Sequence, residues 1–336
     1  MKMENKMFSD NRKISGRQIK RLLFFDLAGL STLLLPPLLS QTAGKNGIFC
    51  IFLALLPAYG VVLLIRRISS RLVAGFPDYI RQTKGKVMEK VILILCGASG
   101  IVLAGFVLDT VSRLITTQLL KEESYWLVSL LILILGAYGM AGGMEGRARI
   151  YEVLFWPLLI PLILMLVLAC RDVNVDYWTP VFFCSGKDMV FGTLLVFLFY
   201  LPVCFLLFLV PYEKKYMQGI AVANRTLFLT ALLNAAVYLI TLGIFGEASL
   251  REMKRPVITL MSMIRLPGGF FERQDAFMVA IWFFALYALL NSSMFYGTES
   301  IKSLIGKKGN KRYVLLVFFL TFLVSAAFYK GGVMEW

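Results

Sequence analysis

The sequence predicts an all-α integral membrane protein with about nine transmembrane helices, and three observations carry this. Hydrophobic residues fill 59% of the 336 positions and charged residues 16%, whereas a soluble domain averages about 45–50% and about 25%. Nine stretches are apolar over roughly the 20 residues a helix needs to cross a bilayer: 19–39, 46–65, 88–110, 125–141, 150–170, 189–210, 226–246, 276–298 and 313–330. Basic residues collect on alternate connections, 24 of the 35 Lys and Arg falling on one side when the N-terminus is cytoplasmic. The positive-inside rule thus supports both the number of spans and the direction of the first.

Residues 1–18 form a basic cytoplasmic tail, and residues 19–330 form the transmembrane domain. The apolar run Leu22–Leu39 is longer than a signal-peptide core, and no A-x-A-like cleavage site follows it, so it is expected to stay as span one. The basic clusters up to Arg21, from Arg66 to Lys90, at Arg147 and Arg149, from Lys214 to Arg225 and from Lys302 to Arg312 mark the cytoplasmic connections. The long segment 247–275 is external and too polar to span. Within it Pro256–Ile264 reads PVITLMSMI, a short proline-started helix suited to an interface. The net charge of +15 belongs to the cytoplasmic membrane surface, and the lipid bilayer is the partner it implies. No basic cluster sits on a soluble domain, so a nucleic-acid partner is not expected.

The chain has no histidine, which removes Ser-His-Asp and Cys-His catalysis and histidine-based metal or haem sites. Cys50, Cys96, Cys170, Cys184 and Cys204 are scattered without a CxxC and read as apolar filling. No paired catalytic constellation, P-loop or dinucleotide fingerprint is present. No enzyme activity, no metal and no cofactor is expected.

The informative residues interrupt the spans. Phe25–Pro37 reads FDLAGLSTLLLPP. Gly29 tolerates unusual dihedrals, Ser31 and Thr32 can bond freed backbone groups, and Pro36 and Pro37 each remove a donor. Together they predict a break or kink near Gly29–Thr32. Span six carries a counterpart around Tyr200, Leu201 and Pro202. Paired interruptions of this kind point to a midplane solute site in inverted-repeat transporters, so Asp26, Gly29, Leu30, Ser31, Thr32, Tyr200, Leu201 and Pro202 are the candidate ligand-binding residues. Asp26 shares a face with Gly29 and Leu30. It either faces the bundle interior as a ligand partner or reaches cytoplasmic water past Arg21, and the sequence leaves both open. Asp109, near the outer end of span three, is expected to meet external water.

Three stretches carry a resemblance. ISGRQ (Ile14–Gln18), GGMEGRARIYEVLFWP (Gly142–Pro157) and RPVITLMSMIRLPGGFFERQDAFMVAIWFF (Arg255–Phe284) resemble the spore-germination permease family, the B subunits of nutrient germinant receptors within the amino acid–polyamine–organocation superfamily. The resemblance implies a permease-like domain of leucine-transporter type, an inverted repeat with broken helices one and six around a ligand pocket. It implies a sensor of small nutrients, typically amino acids, working beside an A-type membrane subunit and a C-type lipoprotein in the spore inner membrane. The carboxylate of an amino acid would meet backbone N–H groups near Ser31–Thr32, and its ammonium would meet carbonyls of spans one and six or Asp26.

The chain departs from the family pattern in three places. Gly29-Leu30-Ser31 stands for a G-x-G, Val203 and Phe205 stand where the family has Gly-x-Glu, and the chain reaches Trp336 after nine spans where the family has a tenth. Glu145 and Arg147, in a short cytoplasmic turn, and Glu272, Arg273 and Asp275, before span eight, read as structural or interaction residues. The rival reading is an ion- or proton-coupled amino-acid transporter with Asp26 as the coupling residue.

Overall fold

A computed structural model describes residues 13–72, 75–120, 123–179, 185–214, 217–264, 274–305 and 312–332. Span one is α1 (Gly16–Thr42). Span two is α2 (Gly47–Leu53) and α3 (Leu55–Ser69), run together. Next come α4 (Phe76–Gln118), α5 (Tyr125–Ala141) and α6 (Gly143–Ala169). Span six is α7 (Gly186–Tyr200), a 3₁₀ stretch over Leu201–Phe205, and the single turn α8 (Leu206–Leu209). Then follow α9 (Gln218–Glu252), α10 (Pro256–Met263), α11 (Gln274–Ile305) and α12 (Arg312–Lys330). Among the described residues eight helices are long and apolar enough to cross a membrane, and Tyr125–Met140 supplies a shorter ninth. All nine expected spans are therefore helical, in a protein whose large exposed side chains, such as Leu56, Leu95, Val153 and Phe319, suit contact with lipid.

Two of these helices turn a corner at a glycine. Gly85 in α4 has φ 86° and Gly246 in α9 has φ 70°, left-handed values open to glycine at little cost. Each separates a polar end from the apolar span, so α4 and α9 are longer than the bilayer needs.

α1 is the central element, 94% of its apolar window being buried within the bundle. It packs along α9 and α11 and touches α6 and α7, while α11 packs along α4 and α4 along α12. Ser15 starts α1 with a reciprocal capping box to Gln18, a motif that satisfies two otherwise orphaned donors. The amide of Gln18 also donates to Glu152 of α6 at 2.8 Å, and Arg17 and Arg21 both pair with Glu152. On the neighbouring side Ile14 bridges to Glu213, and the Gly16 amide donates to Gln218 at 2.8 Å. The start of α1 is thereby fastened to α6 and to the beginning of α9.

Helix one corrects the expectation of a break. It is a continuous α-helix through Gly29–Thr32 and carries Pro36 and Pro37 inside it. The hydroxyls of Ser31 and Thr32 donate to the carbonyls of Leu27 and Ala28 at 2.8 and 2.7 Å, back-bonding that regular helix geometry accommodates. Gly29 serves packing instead of bending: a Cβ there would lie 2.8 Å from the Ala285 carbonyl oxygen of α11. The prolines take their toll one turn earlier along the chain, since a proline lacks the N–H that residue i−4 would accept. The carbonyls left without a helical donor are those of Thr32 and Leu33. Helix six does show its expected interruption, because α7 stops at Tyr200 and a 3₁₀ stretch with Pro202 in its first turn follows.

The short helix expected outside the spans is α10. Its Val257, Ile258, Leu260 and Met261 are buried against the bundle, on α11, α9 and α1. Its apolar face therefore caps the protein.

Candidate functional site

Polar residues in this bundle gather along the two flanks of α1. On the flank toward α11, Asp26 is 2% exposed and its Oδ1 accepts from the Ser292 hydroxyl at 2.6 Å. The same hydroxyl oxygen accepts a short hydrogen bond from Nη2 of Arg147. Arg147 is 1% exposed, and its guanidinium lies 5.1 Å from the Phe295 ring and 5.9 Å from the Tyr296 ring. Its Nε and Nη1 are buried with no partner in hydrogen-bonding geometry among the described residues. An anion and a cation are thus held together out of water through one serine, with aromatic faces shielding the cation. Asp26 is buried against Ser292 and does not reach the cytoplasmic water past Arg21. Arg147 is not in an exposed turn: α6 begins at Gly143 and carries it inward, while Glu145 pairs with Arg149.

Further along the same flank, the Trp282 indole donates to the Thr32 hydroxyl at 3.3 Å, just beyond the close contact of Gly29 with Ala285. The space between these residues and α6 is a cleft of about 30 Å³. That is room for a water or two and not for an amino acid. On the opposite flank the Ser31 hydroxyl reaches Oδ1 of Asn234 at 3.0 Å. The amide nitrogen of Asn234 and the hydroxyls of Tyr200 and Thr230 are buried there without a partner in hydrogen-bonding geometry. Ser31 of helix one and Tyr200 of helix six so belong to one buried polar layer. Phe205, past Leu201 and Pro202 and at one of the positions that depart from the family pattern, stacks on Tyr296 at 4.2 Å.

A larger space lies elsewhere. A cavity of about 720 Å³ opens at the end of the bundle where α9 passes into α10. That volume is within the roughly 300–1,000 Å³ of small-molecule sites. Its apolar walls come from Leu33, Leu34, Pro37 and Leu38 of α1, Phe106 of α4 and Phe199 of α7. Phe199 lies two residues before the interruption of helix six, and Leu33 carries one of the two carbonyls that the prolines leave without a donor. Thr110 and Arg113 of α4 and Arg251, Glu252, Lys254 and Arg255 add a polar side. Arg251, Glu252 and Lys254 are exposed at the rim.

Asp109 corrects another expectation. It is 0% exposed. Nε of Arg113 donates to both its oxygens at 3.0 and 3.1 Å, and the Tyr125 hydroxyl donates to Oδ1 at 2.8 Å. Arg113 also donates to the Tyr329 carbonyl at 3.0 Å and lies 4.6 Å from the Tyr329 ring. The pair ties α4 to α5 and α12. Glu272 and Arg273 lie outside the described residues, and Asp275 is placed only in the first turn of α11.

Sequence reasoning missed Arg113, Arg255, Asn234 and Ser292. The i,i+4 spacing of Asp109 and Arg113 and the polar run Asn291-Ser292-Ser293 inside span eight were the readable signals. Nothing local marked Arg255 as lining a cavity.

Comparison with known proteins agrees with the resemblance noted above. A family model described as spore germination protein matches residues 13–331. Spore germination protein B2 of Bacillus subtilis (strain 168) is 24% identical over 96% of this chain and 87% of its own length. Spore germination protein YndE of the same organism is 22% identical over 90% of this chain and 84% of its own. Spore germination protein A2, also from that organism, is 20% identical over 71% and 66%.

Proposed function

The chain belongs to the spore germination protein family, and we propose that within it this protein is the B-type subunit of a nutrient germinant receptor. It binds a small solute, an amino acid by preference, in the cavity beside α1, α4, α7 and α10, and the bound solute triggers germination. The single observation that carries this reading is the 720 Å³ cavity. Its wall includes Leu33 and Pro37 beside the proline-weakened turn of α1 and Phe199 near the end of α7. An ammonium group is attracted by carbonyls that lack a helical donor, and Leu33, whose carbonyl is one of these, lines the cavity. The 3₁₀ stretch at Leu201–Phe205 begins two residues after Phe199 in its wall.

With the N-terminus cytoplasmic and the protein in the spore inner membrane, the cavity faces outward. Below it Asp26, Gly29, Leu30, Ser31 and Thr32 are packed shut against α9 and α11. A solute shifts the equilibrium between conformations only by its differential affinity for them. The candidate pair of states is the one described, with the layer below the cavity closed, and one in which α1 and α11 part at Gly29. An A-type membrane subunit and a C-type lipoprotein would read that change.

The burial of Asp26 favours a second reading, a proton- or ion-coupled transporter. The two are separated by labelled amino-acid flux into liposomes, which a receptor alone does not support.

Spores carrying Leu38→Trp test the receptor reading. The indole projects from a half-buried wall position into the cavity. The germination dose-response should shift at least tenfold to higher nutrient concentration, with the protein still present in the membrane. An unchanged response refutes the cavity as the nutrient site.

A further inference from the structure

Two arginines from separate elements line the same cavity. Arg113 comes from α4, and Arg255 is the residue from which α10 starts. The charge of Arg113 is already matched by Asp109, and the fork edge that it turns to Asp109 is occupied. Arg255 is different. Its Nη1 donates to the Thr117 hydroxyl and to the Arg113 backbone carbonyl, the latter at 3.4 Å. No carboxylate pairs with it among the described residues. Burial and the neighbouring Arg113 charge both hold Arg255 below its ordinary range, with Asp109 opposing.

Of the described acidic side chains in the vicinity, Glu247 is taken by Arg251, and Glu252 stands exposed at the rim. Among the described residues the cavity thus contains a half-buried cation in excess beside largely hydrocarbon walls. A guanidinium in that setting is matched by a planar carboxylate, which it can bind through two parallel N–H···O bonds.

We infer that Arg255, assisted by Arg113, is the carboxylate-binding site of this cavity, and that its ligand is a small monocarboxylate with an apolar body. This rests on the reading of the cavity as a solute site and assigns a place to the acid group. That place is a side-chain clamp between α4 and α10, since the amides of Ser31 and Thr32 lie within a continuous helix. The apolar body lies against Leu34, Phe106 and Phe199. A ligand seated so bridges α4 to the segment that caps the bundle, so occupancy and the position of α10 are linked.

The test uses the purified full-length protein in lipid nanodiscs. Alanine, valine, leucine, isoleucine and phenylalanine, each beside its own carboxamide, serve as probes of affinity by thermal shift and equilibrium binding. The two members of each pair share the ammonium and the side chain and differ in the acid group. The wild type should bind at least one acid at least tenfold more tightly than its amide. Arg255→Gln should bring that acid down to the affinity of the amide while leaving the amide unchanged, and Arg255→Lys should retain part of the preference. Equal affinity for acid and amide in the wild type overturns the clamp and leaves the cavity as a solute site, and this comparison needs no variant. Parallel loss of acid and amide in Arg255→Gln also overturns it. Absence of binding by every probe overturns the clamp and the cavity reading together.

Discussion

Neutralising Asp26 without touching Arg147 isolates a buried cation, and the size of the effect follows from the packing. Arg147 is 1% exposed, and its only contact to an anion runs through Ser292 to Asp26 among the described residues. Breaking one member of such a buried pair costs about 3–5 kcal/mol, because the remaining charge has neither water nor a counter-charge. Asp26→Asn should lose about that much stability, and so should Arg147→Met, which strands the carboxylate. The double variant removes both charges. The carboxamide oxygen introduced by Asp26→Asn can still accept from Ser292, and the methionine fills the space against Phe295 and Tyr296. Its loss should therefore be no larger than either single one.

The expected coupling is several kcal/mol, well above the 0.3–0.5 kcal/mol scatter of independent sites. Equilibrium unfolding in mixed detergent micelles, followed by tryptophan fluorescence, supplies the four values. Additive single losses would show that Asp26 and Arg147 do not sense each other and would refute the argument. The same cycle bears on the transporter reading. An Asp26→Asn phenotype cured by Arg147→Met is a folding effect, whereas a coupling carboxylate would not be rescued in that way.

Other consequences are as direct. Gly29→Ala gains about 1 kcal/mol of helix propensity, but its Cβ would meet the Ala285 carbonyl oxygen at 2.8 Å and carbon at 2.9 Å. Overpacking costs about 1–3 kcal/mol, so net destabilisation in the same unfolding assay is expected, and a gain in stability would contradict the close-packing role. Ser15→Ala removes the capping box at the start of α1 and should cost about 1 kcal/mol; no change there would mean that the tie to α6 alone fixes this end.

Glu213 lies just outside span six, and burial raises its carboxyl above the ordinary value of 4.5 against the pull of the Gly219 amide. A raised folded value means that the folded protein favours the protonated acid. Its contribution is complete below about pH 4.5 and is lost as pH rises through the folded value. Glu213→Gln should flatten that fall in stability, and an unaltered pH profile would count against it.

The spans were legible because the bilayer imposes a length and a composition that no neighbouring helix can alter. Each of the nine apolar runs is accordingly helical, and PVITLMSM is the separate helix α10. The Leu201–Phe205 interruption was legible too, since Pro202 has no N–H to give wherever it sits. The apparent break at Gly29–Thr32 was misleading because glycine and hydroxyl residues serve two ends. They can open a helix, or they can let two helices approach and bond back to their own carbonyls. The contact of Gly29 with Ala285 decides between these, and it joins residues from the first and the eighth span. Asp26, Arg147 and Asp109 illustrate the same limit. Their burial depends on Ser292, Phe295 and Tyr125, which come from other spans. The cavity could not be read at all, because its walls come from α1, α4, α7 and the segment from Arg251 to Thr259.

The central claim is that a small solute occupies this cavity, and equilibrium binding tests it most directly. Radiolabelled amino acids are titrated onto the purified full-length protein and onto Leu38→Trp. Saturable binding near one per chain in the wild type, weakened at least tenfold by the indole, is the predicted result. Binding of equal strength to both proteins would place the solute elsewhere and contradict the account.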